Sequence, residues 1–383
     1  MPENCQQGIG LAKSYKFGIE HEVAFWDQTT EQFADFSNLS FKRLINLISQ
    51  LPEYESDHGR LRVNYNTFWQ KRWYVEGFDR FSTTGKLTHC TPKGIEIRTT
   101  PQPTILRAMQ ELRDSFSKLC EVANSNGLIA VLTSFNPIKT TFIYNPPLNF
   151  YEIRRRASSQ EESTADFAML TYGPDLNFSI QDLSTTELIR VGQKLTYYSP
   201  SIVPFSFSSP FYNGKLWNGL SVRTYLRTGL RSAVRVFVEK SSDLIPSIPI
   251  LTKTARIPIE VGRIEFKAFD SCGNFWLYAG LLALIKGIAL DQTLPGLALI
   301  PDVEQHRKSA LYGFNDPYIC AQAITLLSAA DKALEAPQEK VLLHPLWRLA
   351  QHQKPTLAQV MIDRYQAGES LFLILRSSYN FED

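Results

Sequence analysis

The stretch KFGIEHEVAFW at residues 16–26 puts Phe17, Ile19, Val23 and Phe25 on odd positions and Glu20 and Glu22 on even ones. This is the period-2 alternation of a half-buried strand. Two carboxylates then share one face, roughly 6.5 to 7 Å apart, close enough to converge on one or two cations. Three later segments repeat the pattern. GIEIRTTP at 94–101 sets Ile95, Ile97 and Thr99 against Glu96, Arg98 and Thr100, and GPDLNFSIQD at 173–182 sets Leu176, Phe178 and Ile180 against Asp175, Asn177, Ser179 and Gln181. VGRIEFKAFDSCG at 261–273 sets Ile264, Phe266 and Ala268 against Arg263, Glu265 and Lys267.

If these strands belong to one sheet whose apolar side is covered by helices, the acids line a common concave surface. Carboxylates crowded within ~4 to 6 Å repel unless cations neutralise them, so the pattern calls for bound metal and nearby Arg or Lys. The donors are oxygens and one amide, without cysteine, which favours hard Mg²⁺ or Mn²⁺ over zinc. Arg98, Arg223, Arg263 and Lys267 supply the charge that a triphosphate or carboxylate substrate needs. His21 lies on the apolar face of the first strand and reads as a core histidine, not a ligand.

The elements that must position these groups follow from periodicity. SFKRLINLISQL at 40–51 has an N-cap serine and a helical stripe, and is expected to pack on the first strand's apolar face. A long amphipathic helix is predicted from about Thr104 to Asn124, a strand in GLIAVLTSFNP and a helix from about Thr185 to Tyr198. FWLYAGLLALIKGIAL at 275–290 reads as a buried helix, and Pro355-Thr356 opens a last amphipathic helix. The segment Tyr65 to Ser82, rich in aromatics and arginines, is a hairpin or a loop over a site. Arg154, Arg155 and Arg156 read as a solvated run, and Arg223 and Arg227, four apart, share one helical face. With no repeat and no low-complexity linker, one domain is expected over all 383 residues: a sheet-forming part with interleaved helices over about 14–270, then a mostly helical part over about 275–383.

Lys+Arg 40 against Asp+Glu 38 leaves a formal charge of +2, so no global field argues for nucleic acid or an anionic membrane. The Arg-Trp-Tyr segment Phe68 to Arg80 has residue types suited to stacking on bases, but the basic excess that such binding needs is missing. The apolar fraction of 44% and charged fraction of 20% are those of a soluble globular protein. Five cysteines without a CxxC pair indicate neither a disulfide framework nor a zinc site, and point to a reducing, cytoplasmic compartment. MPENCQQGIG carries neither a basic start nor an apolar core, so no secretory signal is expected, and no stretch approaches the ~18 apolar residues of a membrane span.

GIEHE, GIEIRTTP, PDLNFSI, SSPFYNG with SVRTYLRTG, and GRIEFKAFDSCG, in this order, resemble the glutamate–cysteine ligases of the plant and bacterial type and their carboxylate–amine ligase relatives. The resemblance runs from roughly Lys16 to Gly368. It implies an α+β fold similar to glutamine synthetase, with a curved, mostly antiparallel sheet forming a half-barrel funnel and helices outside. It also implies ATP-dependent amide formation through an acyl phosphate, with ATP, an amino-acid carboxylate such as glutamate, and an amine such as cysteine as small-molecule substrates. By the same resemblance Glu20, Glu22, Glu96, Asn177 and Glu265 hold Mg²⁺ or Mn²⁺. Arg223, Lys267 and Arg98 act in catalysis, and Arg223, Arg263, Lys267 and Arg155 (or its neighbour Arg154) hold the nucleotide. Asp175 stands where relatives have Gln or His, and Lys267 where they have Arg. The alternative is a non-catalytic member that binds nucleotide or amino acid and acts through a partner protein.

Overall fold

The computed structural model describes residues 14–61 and 71–380. Among these, the strands are β1 (Tyr15–Asp27), β2 (Gln32–Ala34), β3 (Trp73–Phe81), β4 (Leu87–Arg98), β5 (Leu128–Val131), β6 (Asp175–Ile180), β7 (Phe211–Tyr212), β8 (Lys215–Leu216), β9 (Val234–Val238), β10 (Thr252–Thr254) and β11 (Ile264–Phe266). One mixed sheet runs β10-β9-β11-β6-β1-β4-β3, with β2 and β5 paired to the far half of β1, while β7 and β8 form a separate hairpin. Every pairing is antiparallel except β9 with β10. β1 is the longest strand, and it changes partners along its length: β6 and β4 first, then β5 and β2. The sheet curls there into a half-barrel covered by helices, as the resemblance implies.

The helices are α1 (Phe41–Ser49), α2 (Ile105–Ser125), α3 (Phe150–Arg156), α4 (Gln160–Ser163), α5 (Ala165–Ala168), α6 (Thr185–Ile202), α7 (Val222–Arg227), α8 (Phe275–Leu290), α9 (Val303–Tyr312), α10 (Pro317–Ala333), α11 (Pro337–Val341), α12 (His344–Ala350), α13 (Leu357–Gln366) and α14 (Leu371–Ser377). Ser40, Thr104 and Ser184 cap α1, α2 and α6 by accepting main-chain N–H groups, which satisfies donors that the first helical turn leaves over. α2 buries Ile105, Met109, Leu112, Phe116, Leu119 and Ala123 as one stripe against β1, β5 and α8. α8 is apolar on all sides because α2, α6, α10, α12 and β6 enclose it. Among the described residues no helix is long and apolar enough to cross a membrane, and Cys90, Cys120, Cys272 and Cys320 are free thiols.

Several expectations are corrected. α1 packs on β3 and β4 instead of β1, whose apolar face α2 covers. α6 continues past Tyr198 to Ile202, and a further helix, α14, follows the one opened by Pro355-Thr356. The segment Tyr65 to Ser82, expected as a hairpin or a loop over a site, supplies the edge strand β3, the first arm of an antiparallel hairpin with β4, while its residues up to 70 lie outside the described residues. The alternation of GIEIRTTP stops at Arg98: Thr99 lines the concave side, whereas Thr100 turns away to donate its hydroxyl to Glu111 on α2. The arginine run is not simply solvated, because Arg155 pairs with Glu162 at 2.8 Å and Arg156 with Asp166 at 3.2 Å, leaving Arg154 exposed.

Candidate active site

Register brings the four acidic segments together. Glu20 lies opposite Arg98 on β4 and Asp175 on β6, Glu22 lies opposite Glu96, and Glu265 lies opposite Asn177 on β6 and Arg235 on β9. Facing residues of an antiparallel pair share a face, so all of these point into one cleft of about 580 Å³ on the concave side, a size that accommodates small-molecule substrates. Carboxylate oxygens converge in two clusters, Glu20 with Asp175 and Glu265, and Glu22 with Glu76 and Glu96, each within 4.8 Å. Asn177 stands beside Glu265, and its buried Oδ1 has no hydrogen-bond partner among the described residues.

Lysines enter both clusters. Lys267 contacts Asp175 and lies 3.0 Å from Glu265. Lys93 Nζ sits 3.0 Å from Glu22 and 3.9 Å from Glu76, and donates to the carbonyls of Ala168 (2.9 Å) and Thr171 (2.6 Å). Alternation alone would point Lys93 at the helices. The β3–β4 register jumps from Glu76↔Gly94 to Gly77↔Pro92, so Lys93 has no cross-strand partner, and such a bulge re-aims a side chain.

The acids respond to this crowding. Burial, with Glu20, Glu76 and Glu22 close by, pushes Glu96 well above the usual carboxylate range. Burial and Glu22 push Glu76 up to about 7 against the pull of Lys93, and burial with Glu265 and Glu20 pushes Asp175 to about 6 against Lys267. Glu265 goes the other way: burial alone would raise it, yet Lys267, Arg263 and Arg235 hold it at about 2.

Arginines line the same cleft. Arg263 lies 3.3 Å from Glu20 and 4.1 Å over the Phe237 ring. Arg98 stacks 4.1 Å over Tyr74, its buried Nε unpartnered among the described residues. Arg155 stands at the rim, paired with Glu162 and 4.4 Å over the Phe81 ring. Arg223 lines the cleft too, but its guanidinium donates to the carbonyls of Lys267 (3.1 Å), Ala268 (3.1 Å) and Phe269 (2.6 Å), which leaves Nε as its unpartnered group. It therefore braces the chain leaving β11. Gly173 lets it do so: a Cβ there would overlap the guanidinium, while Gly173 N–H donates to Glu22 at 2.9 Å.

Sequence reasoning missed Glu76, Lys93, Glu161, Arg231 and Arg235; it placed Asp175 among the clustering acids but not among the metal ligands, and paired Arg227 with Arg223 on one helical face without giving Arg227 a role at the site. Glu76 was signalled by WYVE, where Trp73 and Val75 are buried and Tyr74 and Glu76 line the cleft. Arg235 was signalled by VRVFV on β9. Arg227 is buried beside Arg223 and Arg231, and burial and these like charges push its pKa well below the usual arginine range, a state that an anion in the cleft would relieve.

No protein-family model and no curated protein sequence matches the chain. Solved structures do. The fold is similar to glutamate–cysteine ligase from Francisella tularensis, solved in complex with AMP (TM-score 0.55, 11% identity, 97% of this chain and 90% of that one). It is similar to a bifunctional glutathione synthetase from Pasteurella multocida (TM-score 0.54, 11% identity), with 96% of this chain covering 52% of that one. It is also similar to the ligase PafA, solved with the prokaryotic ubiquitin-like protein Pup (TM-score 0.54, 10% identity, 95% and 72% covered). The chain has a carboxylate–amine ligase-like fold.

Proposed function

We propose that the protein is an ATP-dependent carboxylate–amine ligase. The observation that carries this reading is the mixture of charges in one cleft: carboxylates from β1, β3, β4, β6 and β11 stand among guanidinium and ammonium groups from β4, α7, β9 and the residues flanking β11. A nucleoside triphosphate fits such a lining, since the acids would hold divalent ions that offset part of its charge while the arginines take the remainder. The orphaned, buried Oε1 of Glu96 and Oδ1 of Asn177 fit hard oxygen-seeking ions such as Mg²⁺ or Mn²⁺. When bound, such ions neutralise charge on the transferring phosphoryl group.

In this reading a substrate carboxylate oxygen attacks the γ-phosphorus, the bond to ADP breaks, and an acyl phosphate forms. The amine nitrogen then attacks the acyl carbon, phosphate leaves with the C–O electron pair, and the amine loses a proton. Arg98 and Arg263 would orient phosphates, Arg227 and Arg231 offer charge to the substrate's own carboxylate, and Arg223 holds the Lys267–Phe269 backbone in place. The likeness to glutamate–cysteine ligase supports glutamate as the acid and an amino acid such as cysteine as the amine. The test is phosphate release from ATP, Mg²⁺ and L-glutamate with a panel of amines including L-cysteine. Release that requires glutamate and one amine supports the ligase and names the acceptor. ATP binding with no release for any pair contradicts it.

A further inference from the structure

Between buried Glu152 on α3 and buried Met169, no residue of 153–168 is buried. The ends of this stretch are anchored: Glu152 accepts from Arg80 at 2.8 Å, and the Ala168 carbonyl accepts from Lys93 at 2.9 Å. Near those ends Arg155 stacks 4.4 Å over Phe81, and Phe167 packs partly against Phe135. The middle lies over the cleft, which Arg155, Glu161, Glu162 and Ala165 line. With no buried side chain of its own, α4 is held by polar contacts. One of these stays inside the stretch, Arg155 with Glu162 at 2.8 Å. The others reach across to three cations. Glu161 accepts from Lys253 at 2.8 Å and from Arg235 at 3.3 Å. Arg231 donates to the carbonyls of Glu161 (3.1 Å) and Thr164 (3.3 Å) and to the Thr164 hydroxyl (3.1 Å).

Arg231, Arg235 and Lys253 all line the cleft, so the chain's own carboxylate and carbonyls engage cations that an anionic substrate would need. Burial alone would raise Glu161, yet Arg235 and Lys253 hold it well below the usual carboxylate range. We propose that Glu161 is an internal competitor of the substrate: it occupies Arg235 and Lys253 in the free protein, and an anionic substrate that takes those cations releases α4 from the cleft. The inference rests on the reading of this cleft as the site of an anionic substrate, but not on turnover. A ligand that must displace Glu161 binds with its intrinsic affinity reduced by the fraction of molecules in which α4 is already free. Removing the charge of a competitor therefore tightens binding, whereas removing a group that grips the substrate loosens it.

The experiment is amide hydrogen exchange across 157–168 in the full chain, alone and with inorganic tripolyphosphate, alongside calorimetric titration of tripolyphosphate, all in constant Mg²⁺. In the wild type the ligand is expected to speed exchange in this segment at least about tenfold. Glu161→Gln, nearly isosteric, is expected to show that faster exchange without ligand and to bind tripolyphosphate at least about threefold tighter. Lys253→Gln, which removes one of the cations that Glu161 meets, is expected to speed exchange without tightening binding, with melting curves confirming that both variants fold. Weaker binding in Glu161→Gln, exchange that is unchanged in both variants or that slows when tripolyphosphate binds the wild type, or no binding to either protein overturns the inference. Competition measured in this way stands even if no acid and amine pair supports phosphate release, and its absence overturns the inference even in an active ligase.

Discussion

Glu76 shows what a crowded carboxylate does to stability. Its folded pKa is raised to about 7 from an ordinary 4.5, chiefly by burial and then by Glu22 against the pull of Lys93. A raised folded pKa means a stabilising contribution present below pH 4.5 and lost as pH rises through 7. Without divalent ions, Glu76→Gln is therefore expected to melt higher than the wild type above pH 7, with the gap closing as pH falls toward 4.5. Saturating Mg²⁺ is expected to reverse the order, because the wild type then has an ion to hold and the variant has lost a ligand. Thermal melts with and without EDTA across this window check both arms, and a variant that melts lower at every pH contradicts the account. Glu152 has the opposite sign. Burial would raise it, but the Arg80 guanidinium and the N–H groups of Phe81 and Asn149 hold it at about 2. Glu152→Gln should thus lose stability at neutral pH relative to the wild type, the deficit shrinking as pH falls below 4.5.

At the scale of elements, the site depends on strands that approach more closely than side chains allow. A Cβ at Gly94 on β4 would overlap the carbonyl of Val23 on β1, next to the register that sets Glu22 opposite Glu96. Gly94→Ala is expected to destabilise by about 1–3 kcal/mol in urea unfolding and to weaken Mn²⁺ binding. An unchanged midpoint would mean that the strands have room to spare. The strands carrying Glu20, Glu22, Glu96, Asn177 and Glu265 were legible because period-2 alternation survives wherever one face is buried and the other lines a cleft. Glu76 and Arg235 were legible by the same rule but lay inside an aromatic-rich stretch and a short apolar strand. Lys93 was not legible, since a bulge inverts the side to which it should point. Nor was the bracing role of Arg223, because its partners are main-chain carbonyls that no side-chain pattern reports.

At the scale of the whole molecule, one hydrophobic cluster runs from Phe17 on β1 to Ala358 on α13. The C-terminal helix closes back on the first strand: Leu132 N–H donates to the Leu375 carbonyl, and buried His21 joins Tyr278 and Tyr379 hydroxyls, each at 3.0 Å. We expect a single cooperative unfolding transition, with circular dichroism and fluorescence coincident. Removing residues 371–383 is expected to cost at least ~4 kcal/mol, since Ile374 and Leu375 are fully buried; an unchanged melting temperature contradicts this. The central claim concerns chemistry, so the decisive measurement is isotope transfer. L-glutamate labelled with ¹⁸O in its side-chain carboxylate is incubated with ATP, Mg²⁺ and the amine that supports turnover, and the released phosphate is analysed by mass. A carboxylate activated as an acyl phosphate predicts one labelled oxygen in each phosphate. Turnover that yields only unlabelled phosphate would contradict it.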